Sequence, residues 1–237
     1  MKKTRLTFLA FALIASVACQ KTAGTGRLVF SLEEGEVADV ETKGNVSDYA
    51  TLPSENSFNL VLKAADSAVM YNGTVGDWNP ADLLPAGNYL AEVSYGSDED
   101  EGPAKPYFAG SSPFTIVGDQ TTAVKIPVTL GNSVVRIATT SAFNNYYPTS
   151  SFTVTTPDNS FKWEGKPVFV AYQFSVSGTV TNQAGKSFNI EPKSWKGDAA
   201  TCYTVKYDVN NVGGVSVTIS FSNTVETVDL GEIELND

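Results

Sequence analysis

The chain has 237 residues, 42% hydrophobic, 11% aromatic and 18% charged, with 16 Lys and Arg against 26 Asp and Glu for a formal charge of −10. That is enough apolar material for one large or two small cores and too much for a disordered chain, while the acidic balance argues against nucleic acid, which is held through basic patches. The sequence has no histidine, which removes Ser-His-Asp triads, Cys-His nucleophiles, His-ligated zinc and histidine pH switches; the expectation is a binding or structural protein, not an enzyme, with no cofactor and no metal.

In chain order, Lys2, Lys3 and Arg5 come first, followed by the uncharged, largely apolar run 6–18. It is shorter than the roughly 20 residues a membrane-crossing helix needs and reads as the hydrophobic region of a secretion signal. It ends in Ser16-Val17-Ala18-Cys19, which resembles a bacterial lipobox with Ser16 where leucine is usual. The resemblance implies cleavage after residue 18 and acylation of Cys19, with the membrane as a partner through that lipid. The alternative is an ordinary signal with an incidental cysteine. Cleavage removes three positive charges and no acid from −10, leaving −13, so the body is expected to repel anionic lipid and to stand off while Cys19 holds it. Cys202 then reads as a packing residue rather than a reactive thiol.

Residues 19–26 are small and polar, a tether. After them the pattern has a period of two, the mark of strands with one wet face. Leu28, Phe30 and Leu32 share a face, as do Phe58, Leu60 and Leu62; Tyr89, Ala91, Val93 and Tyr95; and Val124, Ile126, Val128 and Leu130. A long strand is expected over Val168, Val170, Tyr172, Phe174 and Val176, then two more over 203–209 and 215–221. Cys202 falls on the outward register of the first of these. Turn residues at 85–88, 118–119, 131–132, 182–185 and 213–214 separate the strands at the spacing of a sandwich. Pro127 predicts an edge strand. Asp77 to Leu84 predicts one short helical turn, with Asn79 as cap and Pro80 in the first position. Residues 33–53 lack patterning and read as a long loop. The expected fold is all-β, two antiparallel β-sandwich domains in tandem over 27–131 and 132–237; a single larger barrel is the alternative.

The order of lipobox, short tether, GRLVFSL, VETKG, LPAGNYLAEVSYG, PYFAGSSPFTI, DQTTAVKIPVTLGNSVVRI and YTVKYDVN…GGVSVTISF resembles a family of Bacteroidetes lipoproteins of unknown function. Its architecture is two immunoglobulin- or transthyretin-like sandwiches, similar to fimbrillin-type adhesins. The resemblance covers nearly the whole mature chain and implies an outer-membrane lipoprotein of the cell envelope with a role in cell adhesion or as a fimbria-like subunit. It carries no catalytic residues over. Gln20-Lys21-Thr22 stands where surface-exported lipoproteins of that phylum often have acids, so the sequence leaves open whether the protein faces the surface or the periplasm.

Aromatic side chains are the candidates for binding, because Trp and Tyr faces stack on sugars. Trp195, flanked by Lys193 and Lys196, is expected to be the most exposed; Trp78 lies in a loop; Trp163 shares parity with Phe161 and reads as core; Tyr146 and Tyr147 are expected to cement the two halves. The run Asp98-Glu99-Asp100-Glu101 reads as a solvated loop, with a calcium site as the alternative. Three functions follow: a lipid-anchored adhesin or fimbria-like subunit, in which 28–32 could be exchanged between copies after cleavage at Arg27 or Lys43; a glycan-binding accessory lipoprotein; and an envelope spacer whose partners are other envelope proteins.

Overall fold

The computed structural model describes residues 24–34, 47, 49–209 and 215–221. Cys19 and Lys43, and the side-chain parity expected over 215–221, lie outside what is described. The class is as expected: nearly all strand with one short helix. In chain order the first half holds β1 (Thr25–Glu34), β2 (Asn59–Ala64), β3 (Val69–Thr74), β4 (Leu84–Pro85), β5 (Gly87–Tyr95), β6 (Gly102–Pro103), β7 (Phe108–Ile116) and β8 (Thr121–Leu130). All but β6 form one curled seven-stranded sheet in the order β3-β2-β5-β7-β8-β1-β4. The second half holds β9 (Ser133–Thr139), α1 (Ser141–Tyr146), β10 (Thr149–Thr155), β11 (Ser160–Lys162), β12 (Val168–Val170), β13 (Gln173–Thr181), β14 (Ser187–Lys196), β15 (Cys202–Val209) and β16 (Val215–Phe221). These form a four-stranded sheet, β11-β10-β13-β14, and a five-stranded one, β16-β15-β9-β12-β6.

Most of the period-two faces of the sequence that are described are buried faces. Leu28, Leu60, Leu62, Ala91, Val93, Ile126 and Leu130 lie in one cluster of buried residues, and Phe152, Val154, Phe174, Val176, Val205 and Tyr207 in another. Each large side chain taken out of water adds about 1.5–3 kcal/mol, so the strands that carry these residues are held by their inward rows. Not every pairing is antiparallel: β1 runs parallel to β8, and β15 parallel to β9. Leu28 to Leu32 pairs with Thr122 to Ile126 of the same chain, which counts against exchange of that segment. The first strand also begins at Thr25, two residues inside the expected tether.

Several expectations are corrected. Pro127 is not on an edge, since β8 lies between β7 and β1. The β7–β8 pairing runs from Phe108↔Leu130 to Gly110↔Val128 and stops one residue short of Pro127; a residue without an N–H ends a ladder as readily as it marks an edge. The single strand expected over 168–176 is two, in different sheets, broken at Ala171 and an exposed Tyr172. No helix forms at 77–84. Asn79 does accept a hydrogen bond from the backbone N–H of Ala81 (3.1 Å), but the segment is a turn that drops Trp78 into the core.

The two halves meet through the five-stranded sheet. Its register places Phe169, Val134 and Cys202 in one row and Val168, Val135 and Tyr203 in the next. The first row belongs to the core of the first half, the second to the core of the second half. Cys202 is therefore on the outward side of its strand, as its parity says, and buried all the same, because the first half covers that side. Polar contacts complete the junction. β6 pairs with β12. The carboxylate of Glu101 accepts the Thr156 hydroxyl (2.5 Å), the Asn159 amide (3.0 Å) and the Ala171 backbone N–H (3.0 Å). Buried Asn132 accepts from the Tyr107 N–H (3.3 Å) and donates to the Lys105 carbonyl (3.0 Å). Glu101 thus stands apart from the solvated run it was read with. Gly102 next to it adopts φ +119°, in the region that favours glycine, and a Cβ there would collide with the Phe161 ring.

Candidate functional site

Strand direction decides what lies at each end. From the junction, β9 runs outward to α1, β13 outward to the turn at 182–185, and β15 outward to Val209. The helix and the hairpin turn therefore meet at the end of the second half farthest from the first. Thr140 caps α1, its hydroxyl accepting the Phe143 N–H (3.1 Å) while donating to Asp208 (2.5 Å). Phe143 and Tyr147 anchor the helix in the core. Tyr146, between them in sequence, is left outside, 44% exposed, its ring edge-on to Tyr147 at 4.8 Å. Across from it, the Asn182 side chain accepts from the backbone N–H groups of Ala184 and Lys186 (3.0 Å each) and shapes the turn. The Gln183 amide donates to the Asn145 carbonyl (2.7 Å) and ties turn to helix.

The result is an open groove of about 410 Å³ lined by Ala142, Asn145, Tyr146, Asn182, Gln183, Ala184 and Val209. Among the described residues that line it none is charged, in a chain of formal charge −10. Beneath it, burial pushes the Tyr147 hydroxyl above its ordinary pKa, with Tyr146 adding to the shift, and burial alone does the same to Tyr207. Both stay neutral phenols. An aromatic face beside side-chain amides can stack on a neutral polar ligand and hydrogen-bond it; it offers no acid or base for proton transfer. Among the described residues no cluster of acids and cysteines could hold a metal ion.

The residues singled out from the sequence lie elsewhere. Trp78 is 8% exposed, its indole N–H donating to the Leu28 carbonyl (3.1 Å) and its ring set edge-on to Phe30 and Tyr71; it presents no face to a ligand. Trp195 is half-buried opposite Phe174, ring centroids 5.4 Å apart, near the junction end of β14. Trp163 is half-buried against the second core. Tyr146 and Tyr147 do not cement the halves: one packs inside the second core and the other lines the groove. The structure brings none of the tryptophans together. Asn145, Asn182 and Gln183 were missed. A cap at Thr140 with Pro148 just beyond was the local signal for the helix, but nothing local pairs it with a turn some forty residues on.

The model of the family described as "Domain of unknown function (DUF4493)" matches residues 24–236. No curated protein matches the sequence. Among solved structures, the chain is similar to a candidate cell adhesion protein from Bacteroides uniformis at 9% identity, covering 86% of this chain and 98% of that one with a TM-score of 0.47. It is similar to a fimbrial assembly protein from Parabacteroides distasonis at 11% identity, with 83% and 94% covered and a TM-score of 0.44. It is also similar to the fimbrial anchor protein Mfa2 from Porphyromonas gingivalis at 10% identity, with 84% and 97% covered and a TM-score of 0.39.

Proposed function

The chain belongs to the DUF4493 family, and from that premise we propose that it is a lipid-anchored, non-enzymatic envelope protein that serves adhesion, as a cell-adhesion or fimbria-like subunit of the outer membrane. In this reading residues 1–18 are removed, Cys19 is acylated, and two sandwich domains, 27–131 and 132–237, stand between the anchor and the partner. The observation that carries it is the placement of the groove. The described chain enters at one end of the first half and the Tyr146 groove opens at the opposite end of the second. A tethered adhesin needs its contact surface away from its anchor.

The uncharged groove, with one exposed aromatic ring and side-chain amides, favours neutral glycans over charged ligands, so the accessory glycan-binding role is the second reading. The two are separated by one set of measurements on the lipoprotein purified from its own envelope. Binding to arrayed neutral polysaccharides that is lost in Tyr146→Ala, with the melting temperature unchanged, supports the glycan reading. Capture of another envelope protein that is lost in the same variant, without polysaccharide binding, supports the subunit reading. Retention of every contact in Tyr146→Ala overturns the groove as the site. The mass of the N-terminal fragment reads acylation independently.

A further inference from the structure

The opposite end of the molecule carries its own signal. Gly24 enters against Gly118, its carbonyl accepting the Ala86 N–H (2.7 Å), and the Thr25 carbonyl accepts the Asp119 N–H (2.8 Å). The entry point is thereby fixed between the turn at 117–120 and the short strand β4. The register of β1, β2, β5 and β8 places the Ala64–Val69 turn at this same end. Among the described residues, five large apolar side chains other than tyrosine are well exposed, and four of them are here: Leu83 at 57% and Val117 at 47% beside the entry point, Val69 at 57% and Met70 at 42% at the start of β3. Only Leu52 is elsewhere. A scatter of exposed apolar residues is ordinary, but their collection at one end of a molecule points to a surface that they meet.

We infer that this end of the first half is a membrane-contacting face that rests on phospholipid, with Leu83 and Val117 at its centre. The inference rests on the proposed acylation of Cys19. Four residues lie between Cys19 and Gly24, so covalent geometry over the five Cα-to-Cα steps limits their separation to at most about 18 Å. An anchor that short brings the end of the molecule to the bilayer surface instead of letting it stand off. Apolar side chains at the headgroup boundary add to the hold of the acyl chains. The charged groups at this end include Arg27, Asp66, Asp82 and Asp119, with Lys63 opposite Val69 and ion-paired to Glu92; acids outnumber bases, so the face suits zwitterionic phospholipid rather than an anionic surface.

Hydrogen exchange read by mass spectrometry tests this. The lipoprotein purified from its envelope is placed in phosphatidylethanolamine–phosphatidylcholine vesicles and compared with the chain beginning at Gln20, which has no acylation site, mixed with the same vesicles. The expected result is slower exchange at 83–86 and 117–120 in the anchored form, no change at 141–146 and 182–185, and loss of the difference in the double variant Leu83→Asp and Val117→Asp with its melting temperature kept. Equal exchange in both forms of the wild-type chain overturns the face, as does protection that survives in the folded double variant. The N-terminal mass separates the two failures: a fragment without acyl chains overturns the anchoring, whereas an acylated chain with unprotected 117–120 overturns the face alone.

Discussion

The junction between the halves and the groove at the far end are built from similar residue types and put to opposite use. At the junction, Asn132 is buried and its side chain bonds the backbone of Tyr107 and Lys105; at the groove, the side chain of Asn145 lies open beside Tyr146. Aromatic rings divide in the same way, with Phe169 enclosed between strands and Tyr146 half outside. An amide or ring satisfied inside the molecule is mortar, and one left facing water is available to a partner. The contrast is energetic as well as geometric: a buried polar group that loses its partner costs about 1–3 kcal/mol, whereas an exposed one loses almost nothing.

Substitutions can break or sharpen that contrast. The largest expected effect is at Phe169, whose ring fills the first core from a strand of the second half; Phe169→Ala is expected to cost about 3–5 kcal/mol, read as a lower midpoint in urea unfolding. Phe174→Ala, inside the second core alone, belongs to the same range, and a near-neutral value at either would show that the row assignments are wrong. Asn132→Ala is expected to lose about 1–3 kcal/mol because the Tyr107 N–H and Lys105 carbonyl lose their partner, measured in the same titration. Its neighbour sharpens the point. The Ser133 hydroxyl is buried without a hydrogen-bond partner, so Ser133→Ala is expected to stabilise by up to about 1 kcal/mol; a loss of stability there would contradict the reading. Tyr146→Ala is the smallest, within about 0.5 kcal/mol of wild type by thermal unfolding, while it removes binding at the groove.

Much of this fold was legible from side-chain alternation. The inward rows of β2, β5, β8 and β15 were readable because a strand with one wet face writes that face into its sequence. Legibility failed wherever both faces are covered. The alternation over 168–176 spans two strands of different sheets, since Phe169 and Val168 are apolar for the sake of different cores. Cys202 carried an outward parity that said nothing of what lies outside. The acidic run 98–101 looked uniform, yet Glu101 alone reaches three donors of the second half. Which tryptophan is open to a ligand was hard to read for a related reason. Tryptophan is conspicuous in a sequence, but large rings are what cores use, and Trp78 has its indole N–H satisfied within one.

What the sequence by itself determined is the class and the inward face of most strands, because each rests on neighbours within a few residues. Which outward faces are covered, where the halves clasp and which aromatic rings stay in water were decided only by tertiary structure. Those outcomes depend on segments tens of residues apart arriving at the same end of a sheet, and strand direction and register, not local pattern, set that meeting.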